Sequence, residues 1–328
     1  MQAPLVAVTD SVFPNLDVVR RTLSAVGAEV RLASQPTPEA IVELARAADA
    51  VLVTYAKITA AMIREMKLCR IISRLGIGVD NVDIAAATSA GIAVTRVPDY
   101  CMDEVSDHAM ALLLALVRKI PFANQRVQAG RWEMSSVVPI HRLRGTTLGL
   151  VGFGRIPQLV APKAQAFGLK VISHDPYVPE KVMAQLGVES VSFEGLLERS
   201  DYISVHAPLT PETHHLFNAD VFRRMKSGAY LVNTARGPLV NDKDLADALD
   251  AGRLAGAALD VLPEEPPVPD SRLLGRDNVI LTPHTGFYSE ESLVDLQVKA
   301  SEEVVRVLTG QMPRNPVNPE VFETARKS

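Results

Sequence analysis

Along the first hundred residues, short apolar runs alternate with stretches of helical periodicity. Strands are predicted at Leu5–Thr9, Glu29–Leu32, Ala50–Thr54, Arg70–Arg74 and Ile92–Val94, with helices between them that include Leu16–Val26, Pro38–Ala47 and Thr59–Met66. Apolar strands separated by helices belong to a parallel sheet covered on both faces. From Thr147 onward the theme returns, with strands near 148–151, 169–173, 202–205, 230–233, 256–259 and 279–281. The pattern predicts an α/β chain made of two doubly wound parallel-sheet domains.

Between the two regions lies Asp103–Ile120, whose middle is apolar on nearly every face, with Asp103 or Ser106 as cap and Pro121 as stop. Such a helix must be buried on both sides. Either one subunit encloses it wholly, or it packs on its own domain and on a partner subunit. The second reading is preferred and predicts a homodimer. Residues 121–146 show no clear period and read as an extended arm. Trp132 in that arm serves either as an interface anchor or as packing within its own subunit.

The second region opens on TLGLVGFGRIP, Thr147–Pro157. A strand, a tight glycine turn and a helix start form the unit that holds a dinucleotide pyrophosphate. Gly152 allows the turn, and Gly154 lets backbone N–H groups approach phosphate oxygens. The third motif position, normally glycine or alanine, is Pro157, which is tolerated near a helix start. Pro162 sits in the second turn, where a proline removes an i→i−4 bond at a cost of about 3 kcal/mol. A bent or delayed helix is therefore expected, with cofactor affinity altered but not abolished. Asp175 ends the next strand, 18 residues beyond Pro157. A carboxylate there accepts hydrogen bonds from ribose hydroxyls and repels a 2′-phosphate, which favours NAD over NADP.

Composition narrows the classes. The 328 residues carry a net charge of −4 and are 47% hydrophobic, with no basic stripe to suggest a nucleic-acid partner. The start, MQAPLVAVTD, lacks the features of a signal peptide, and the longest apolar run, Ala109–Val117, is too short to cross a bilayer. Cys69 and Cys101 show neither CxxC nor metal-type spacing, so a reducing, cytoplasmic setting and no metal are expected.

Three polar groups follow three consecutive strands of the second region. Arg236 comes just after Asn233, Thr234 and Ala235; Asp260 and Glu265 follow the next strand; His284 follows the last. Ligands of open α/β sheets bind outside these strand ends. Reduction of a 2-oxo acid needs a cation for the carboxylate, a hydride donor and a proton donor for the developing alkoxide. Arg236 suits the first role through bidentate pairing, the nicotinamide the second, and His284 the third. Glu265, bonded to the imidazole, would hold its tautomer and favour the imidazolium. Neighbouring Glu264 is an equal candidate on physics alone.

The motifs GVDNVD (78–83), the glycine loop, VHAPLTPETHHLFN (205–218), NTARGPLV, ALDV–EEPP and TPH together resemble the D-2-hydroxyacid dehydrogenase family over essentially the whole chain. The resemblance implies Arg236, Glu265 and His284 as the catalytic set, choosing Glu265 because the family acid directly precedes Pro266. It implies a flavodoxin-like substrate domain (1–100 and 286–328), a Rossmann NAD-binding domain (101–285), and an active site in the cleft. For the cofactor it implies Phe153, Gly154, Arg155 and Ile156 at the pyrophosphate, with Asp175 at the adenosine ribose. His206, Ala207, Pro208 and Thr213 fall on the ribose side, and Asp260 meets the carboxamide. Asn233, Thr234, Ala235, His284 and Gly286 complete the cofactor contacts. Leu75, Gly76, Ile77 and Gly78 resemble the loop that binds the substrate carboxylate.

Within the family, HTGFYSEES and Arg74 resemble the C-terminal binding protein branch. Phe287 would place a ring near the substrate side chain and imply a roomier pocket than glyoxylate needs, while Arg74 would add a second carboxylate contact. The expected activity is therefore NAD-dependent hydride transfer between a small 2-oxo acid and a D-2-hydroxy acid. The alternative is an NAD(H)-responsive, peptide-binding scaffold like the corepressors of that branch. The intact Arg/Glu/His set favours catalysis. A phosphorylated substrate lacks a dedicated basic cluster, and with Ser328 as the last residue no appended regulatory domain is expected.

Overall fold

The computed structural model describes residues 3–324, and its chain divides into two compact units, Met1–Tyr100 with Ser289–Ser328 and Cys101–Tyr288. The return to the first unit falls after Tyr288, three residues beyond the position read from sequence.

In the first unit, β1 (Leu5–Val8), β2 (Glu29–Leu32), β3 (Ala50–Val53), β4 (Ile71–Arg74) and β5 (Ala93–Thr95) form one parallel sheet in the order β2-β1-β3-β4-β5. Every residue of β3 and β4 is buried, as strands of a parallel sheet covered on both faces should be. Thr37, Thr59 and Asp83 cap the helices Pro38–Ala45, Ala60–Glu65 and Ile84–Ser89 with their side chains. The helix Glu290–Leu308 starts from a reciprocal Ser289/Ser292 capping box. It is held to the sheet by Ser73 Oγ, which donates to the Ala300 carbonyl at 2.9 Å.

In the second unit, β6 (Thr147–Val151), β7 (Lys170–His174), β8 (Glu189–Ser190), β9 (Tyr202–Val205), β10 (Ala229–Asn233), β11 (Leu254–Leu259) and β12 (Val279–Leu281) follow the order β12-β11-β10-β9-β6-β7-β8. All pairs are parallel. Register aligns the strand ends: Val151 pairs with His174 and Val205, Asn233 with Val205 and Leu259, and Leu259 with Leu281. Six loops thus leave one edge of one sheet at nearly the same level. The order reverses between β6 and β9, the crossover point where such sheets bind ligands.

Three expectations need correction. The helix Met102–Val117 already buries Val105, Ala109, Met110, Leu112, Leu113, Leu116 and Val117 within the chain, so most of its apolar surface needs no partner subunit. The segment after it is not an extended arm throughout. Lys119, at φ 54°, breaks the chain direction, and a second helix runs Ile120–Gln128 with Pro121 in its first turn. Proline is tolerated there because the first amides of a helix lack intrahelical acceptors anyway. Finally, the helix after the glycine loop is not delayed: it runs without interruption from Arg155 to Ala166. Pro157 takes its third position, again among amides without intrahelical acceptors. Pro162 does remove an interior bond, but Val160, Ala161 and Ala164 bury around it in the core shared with Met102–Val117. Lys163 Nζ ties the same turn to Ser106 Oγ at 2.6 Å. Packing outweighs the lost bond.

Candidate active site

The glycine loop shows why each of its glycines is needed. Gly152 has φ 90°, and an added Cβ would lie 3.0 Å from both the Ala207 amide nitrogen and the His206 carbonyl carbon. The loop after β9 therefore crosses directly against the turn. A Cβ on Gly154, by contrast, would meet nothing within 4 Å. Gly154 also caps the helix Arg155–Ala166, so its open side faces the helix N-terminus with its partial positive charge. Asp175, just past β7, accepts the Phe153 amide at 2.7 Å on one oxygen and the Tyr177 amide at 2.8 Å on the other. Its carboxylate is thus fixed to the glycine loop itself.

The next strand end carries His206, whose Nε2 pairs with Ser204 Oγ at 2.8 Å. Burial pushes its imidazole down to about 4. Ala207 and Pro208 continue the loop, which Thr213 braces by donating from Oγ1 to the Pro208 carbonyl at 2.6 Å. These bonds leave the loop little freedom.

At the end of β10, Asn233 is wholly buried and works as a brace. Its Nδ2 donates to the Arg236 carbonyl at 2.8 Å, and its Oδ1 accepts the Ala235 amide at 3.0 Å. The turn that presents Arg236 is set by this one side chain. Thr234 Oγ1 is buried without a hydrogen-bond partner. Gly237 lies against the loop after β11: a Cβ there would be 1.9 Å from the Leu262 carbonyl carbon. Only glycine lets the Arg236 turn and the Glu265 loop approach so closely.

That loop carries the acid. Glu265 Oε1 accepts the Leu262 amide at 3.0 Å, and Oε2 lies 2.7 Å from Nδ1 of His284. Glu265 is therefore the acid paired with His284. His284 itself has φ 53°, and Phe287 packs edge-on against it, with ring centroids 6.2 Å apart. Asp260 is buried and accepts from Thr282 Oγ1 at 2.5 Å, the Thr285 amide at 2.9 Å and the Gly286 amide at 2.8 Å. Burial pushes its carboxyl up, but hydrogen bonds from His108, Thr282 and the two amides outweigh that and hold it below the ordinary aspartate value.

In the first unit, Arg74 ends β4 and is buried, and Gly76 has φ 152°. A Cβ on Gly76 would fall 1.1 Å from Arg74 Nη1, so the guanidinium folds back over the glycine. Leu75 is buried and bonded to the Val53 carbonyl at 2.8 Å, and Ile77 and Gly78 lead into GVDNVD. In that motif Asn81 Nδ2 donates to the Thr54 and Ala56 carbonyls, at 3.2 and 3.0 Å.

Residue-by-residue reading of the sequence missed His108 and Gly237. The signal for His108 was a single imidazole within an apolar helix. No local signal marked Gly237, since its constraint comes from a loop 25 residues away in sequence. Among the described residues there is no cluster of His, Cys, Asp and Glu that could hold a metal, and no helix long and apolar enough to cross a membrane.

Fold and strand-end geometry define a two-unit α/β protein with a dinucleotide-type sheet and an imidazole–carboxylate pair at its edge. Residues 110–286 match the model of the D-isomer specific 2-hydroxyacid dehydrogenase NAD-binding domain, and the chain belongs to that family. It is 41% identical over 300 residues to D-3-phosphoglycerate dehydrogenase of Methanocaldococcus jannaschii, covering 91% of this chain and 57% of that protein. The chain thus spans little more than half the length of that relative. It is 36% identical to glyoxylate reductase of Korarchaeum cryptofilum, covering 95% of this chain and 97% of that one. Among solved structures, D-lactate dehydrogenase of Aquifex aeolicus, complexed with NAD and lactic acid, matches with a TM-score of 0.86 at 29% identity, covering 96% and 99% of the two chains.

Proposed function

We propose that this chain is an NAD-dependent oxidoreductase that interconverts a small 2-oxo acid and its D-2-hydroxy acid. The observation that carries the reading is the 2.7 Å pair between His284 Nδ1 and Glu265 at the carboxyl edge of a dinucleotide-type sheet. The cofactor's fit is supported by the open side of Gly154 at a helix N-terminus, by the partnerless Thr234 hydroxyl, and by Asp175, a carboxylate anchored to the glycine loop through the Phe153 amide.

When bound, NADH supplies the hydride. The protein's residues do the rest. Arg236 pairs with the substrate carboxylate and holds the 2-oxo carbon in place. With Nδ1 committed to Glu265, proton transfer falls to Nε2 of His284, which protonates the oxygen as it becomes an alkoxide. Glu265, itself fixed by the Leu262 amide, keeps the ring turned. In the oxidative direction, Nε2 takes the hydroxyl proton instead. Asp260 and Gly286 would meet the carboxamide, and His206, Ala207, Pro208 and Thr213 the ribose side. The resemblance also gives Arg74 and the Leu75–Gly78 loop as carboxylate contacts.

Phe287 suggests a pocket for a branched or aromatic 2-oxo acid. The identity to D-3-phosphoglycerate dehydrogenases favours a second reading of the substrate as a phosphorylated 2-hydroxy acid. The relatives named above are dehydrogenases and reductases, and they lend no support to a corepressor-like scaffold. A homodimer belongs to the same proposal, but it rests on the segment after the long helix, where Trp132 and Met134 are 88% and 83% exposed. A cytoplasmic setting is in keeping with Cys69 and Cys101, both buried thiols.

The test is NADH oxidation with 2-oxo acids of graded size, beside NADPH, and NAD reduction with D-3-phosphoglycerate. Turnover of at least one acid, with NADH preferred, is expected. No turnover with any of them would overturn the reading.

A further inference from the structure

We propose that His108 is a positioning residue: through Asp260 it holds the Thr285–Gly286 backbone and so fixes the turn from which His284 works. Its catalytic consequence rests on the oxidoreductase reading; its structural part does not. His108 stands on the helix Met102–Val117, far from the catalytic residues in sequence. Its Nε2 lies 3.0 Å from Thr282 Oγ1 and 3.2 Å from Asp260 Oδ1.

Asp260 is the hub of this arrangement. Its carbonyl accepts the His284 amide at 2.9 Å, while its carboxylate accepts the amides of Thr285 and Gly286. One residue therefore grips three successive amides, starting with that of His284. The grip matters because His284 has φ 53°, a conformation that side chains other than glycine keep only when their surroundings over-determine it. A buried carboxylate can act as such a clamp only while its oxygens are fully bonded. Thr282 and His108 are the side chains that meet the Asp260 carboxylate, and the imidazole touches both Thr282 and the carboxylate. The fit is close: a Cβ on Gly286 would lie 2.8 Å from Asp260 Oδ2 and 3.3 Å from His108 Cδ2. His108, Asp260 and Gly286 thus form one packed unit behind the catalytic imidazole.

The experiment compares the parent chain with His108→Leu, which preserves an apolar helix but removes both bonds. It also includes His108→Gln, which retains an N–H donor. Hydrogen exchange of a peptide covering residues 282–288 reads the clamp, and steady-state kinetics read its consequence. Faster exchange is expected in His108→Leu, with kcat lower by about 10- to 100-fold, the cost of a small misplacement of a catalytic group. KM for the 2-oxo acid should change far less, and His108→Gln should recover both readouts. Unchanged exchange in His108→Leu overturns the clamp, and unchanged kcat despite faster exchange overturns its catalytic role. Equal losses in the two variants overturn the hydrogen-bonding basis. Should the parent turn over no 2-oxo acid, the function reading falls, and the exchange comparison alone decides the clamp.

Discussion

Gly237→Ala tests whether the Arg236 turn and the Glu265 loop depend on their close approach at this glycine. The added Cβ would fall 1.9 Å from the Leu262 carbonyl carbon, 2.1 Å from its oxygen and 2.4 Å from the Pro263 nitrogen. Carbon atoms pack no closer than about 3.5 Å, so the two segments must part by roughly 1.6 Å. The obstructing atoms are backbone, and no rotamer change relieves them. Overpacking of this kind costs about 1–3 kcal/mol or more in stability. Because Leu262 donates its amide to Glu265, the movement displaces the acid that orients His284. A displacement of about 1 Å at such a group can cost on the order of 100-fold in rate. Thermal unfolding and kcat/KM with the preferred 2-oxo acid measure both effects. A variant with parental stability and parental turnover would refute the reasoning, since it would mean the loops do not depend on this close approach.

Three other outcomes follow from the same geometry. Asp175→Ser removes the charge anchored by Phe153 and Tyr177 and should narrow the preference for NADH over NADPH, measured as the ratio of kcat/KM values; an unchanged ratio counts against Asp175 at the ribose. His206 titrates near 4 when folded against about 6.5 when unfolded, so between those values the unfolded chain binds more protons and stability falls as pH drops. The loss is at most roughly 3 kcal/mol, less in practice because the residue retains some exposure, and His206→Gln should flatten the melting temperature across that window while the parent's declines. Phe287→Ala should weaken turnover of branched or aromatic 2-oxo acids more than that of glyoxylate; a parent enzyme far faster on glyoxylate would discard the aromatic-pocket idea.

Much of this architecture was legible in the chain because parallel strands buried on both faces are written as apolar runs, and β3, Ala-Val-Leu-Val, is such a run. The glycine turn was legible because its requirement is local. Elements that depend on partners distant in sequence were not. The two-residue strand β8 exists through its pairing with Ile172 and Ser173 and has no pattern of its own. Pro162 looked disruptive by its intrinsic cost, yet the core around Val160, Ala161 and Ala164 holds the helix. Pro121 read as a stop, but the first helix ends earlier, at Val117, and Pro121 lies in the first turn of the next. The acid was ambiguous between Glu264 and Glu265 on residue chemistry, and the 2.7 Å contact to His284 resolves which one pairs with the imidazole.

The assignment of acid–base chemistry to His284 is tested by comparing NADH oxidation in the parent and His284→Ala with one 2-oxo acid, alongside NADH binding followed by nucleotide fluorescence. Turnover should drop by at least about 100-fold, the usual contribution of a positioned acid, while NADH still binds. Parental turnover in the variant would contradict the assignment.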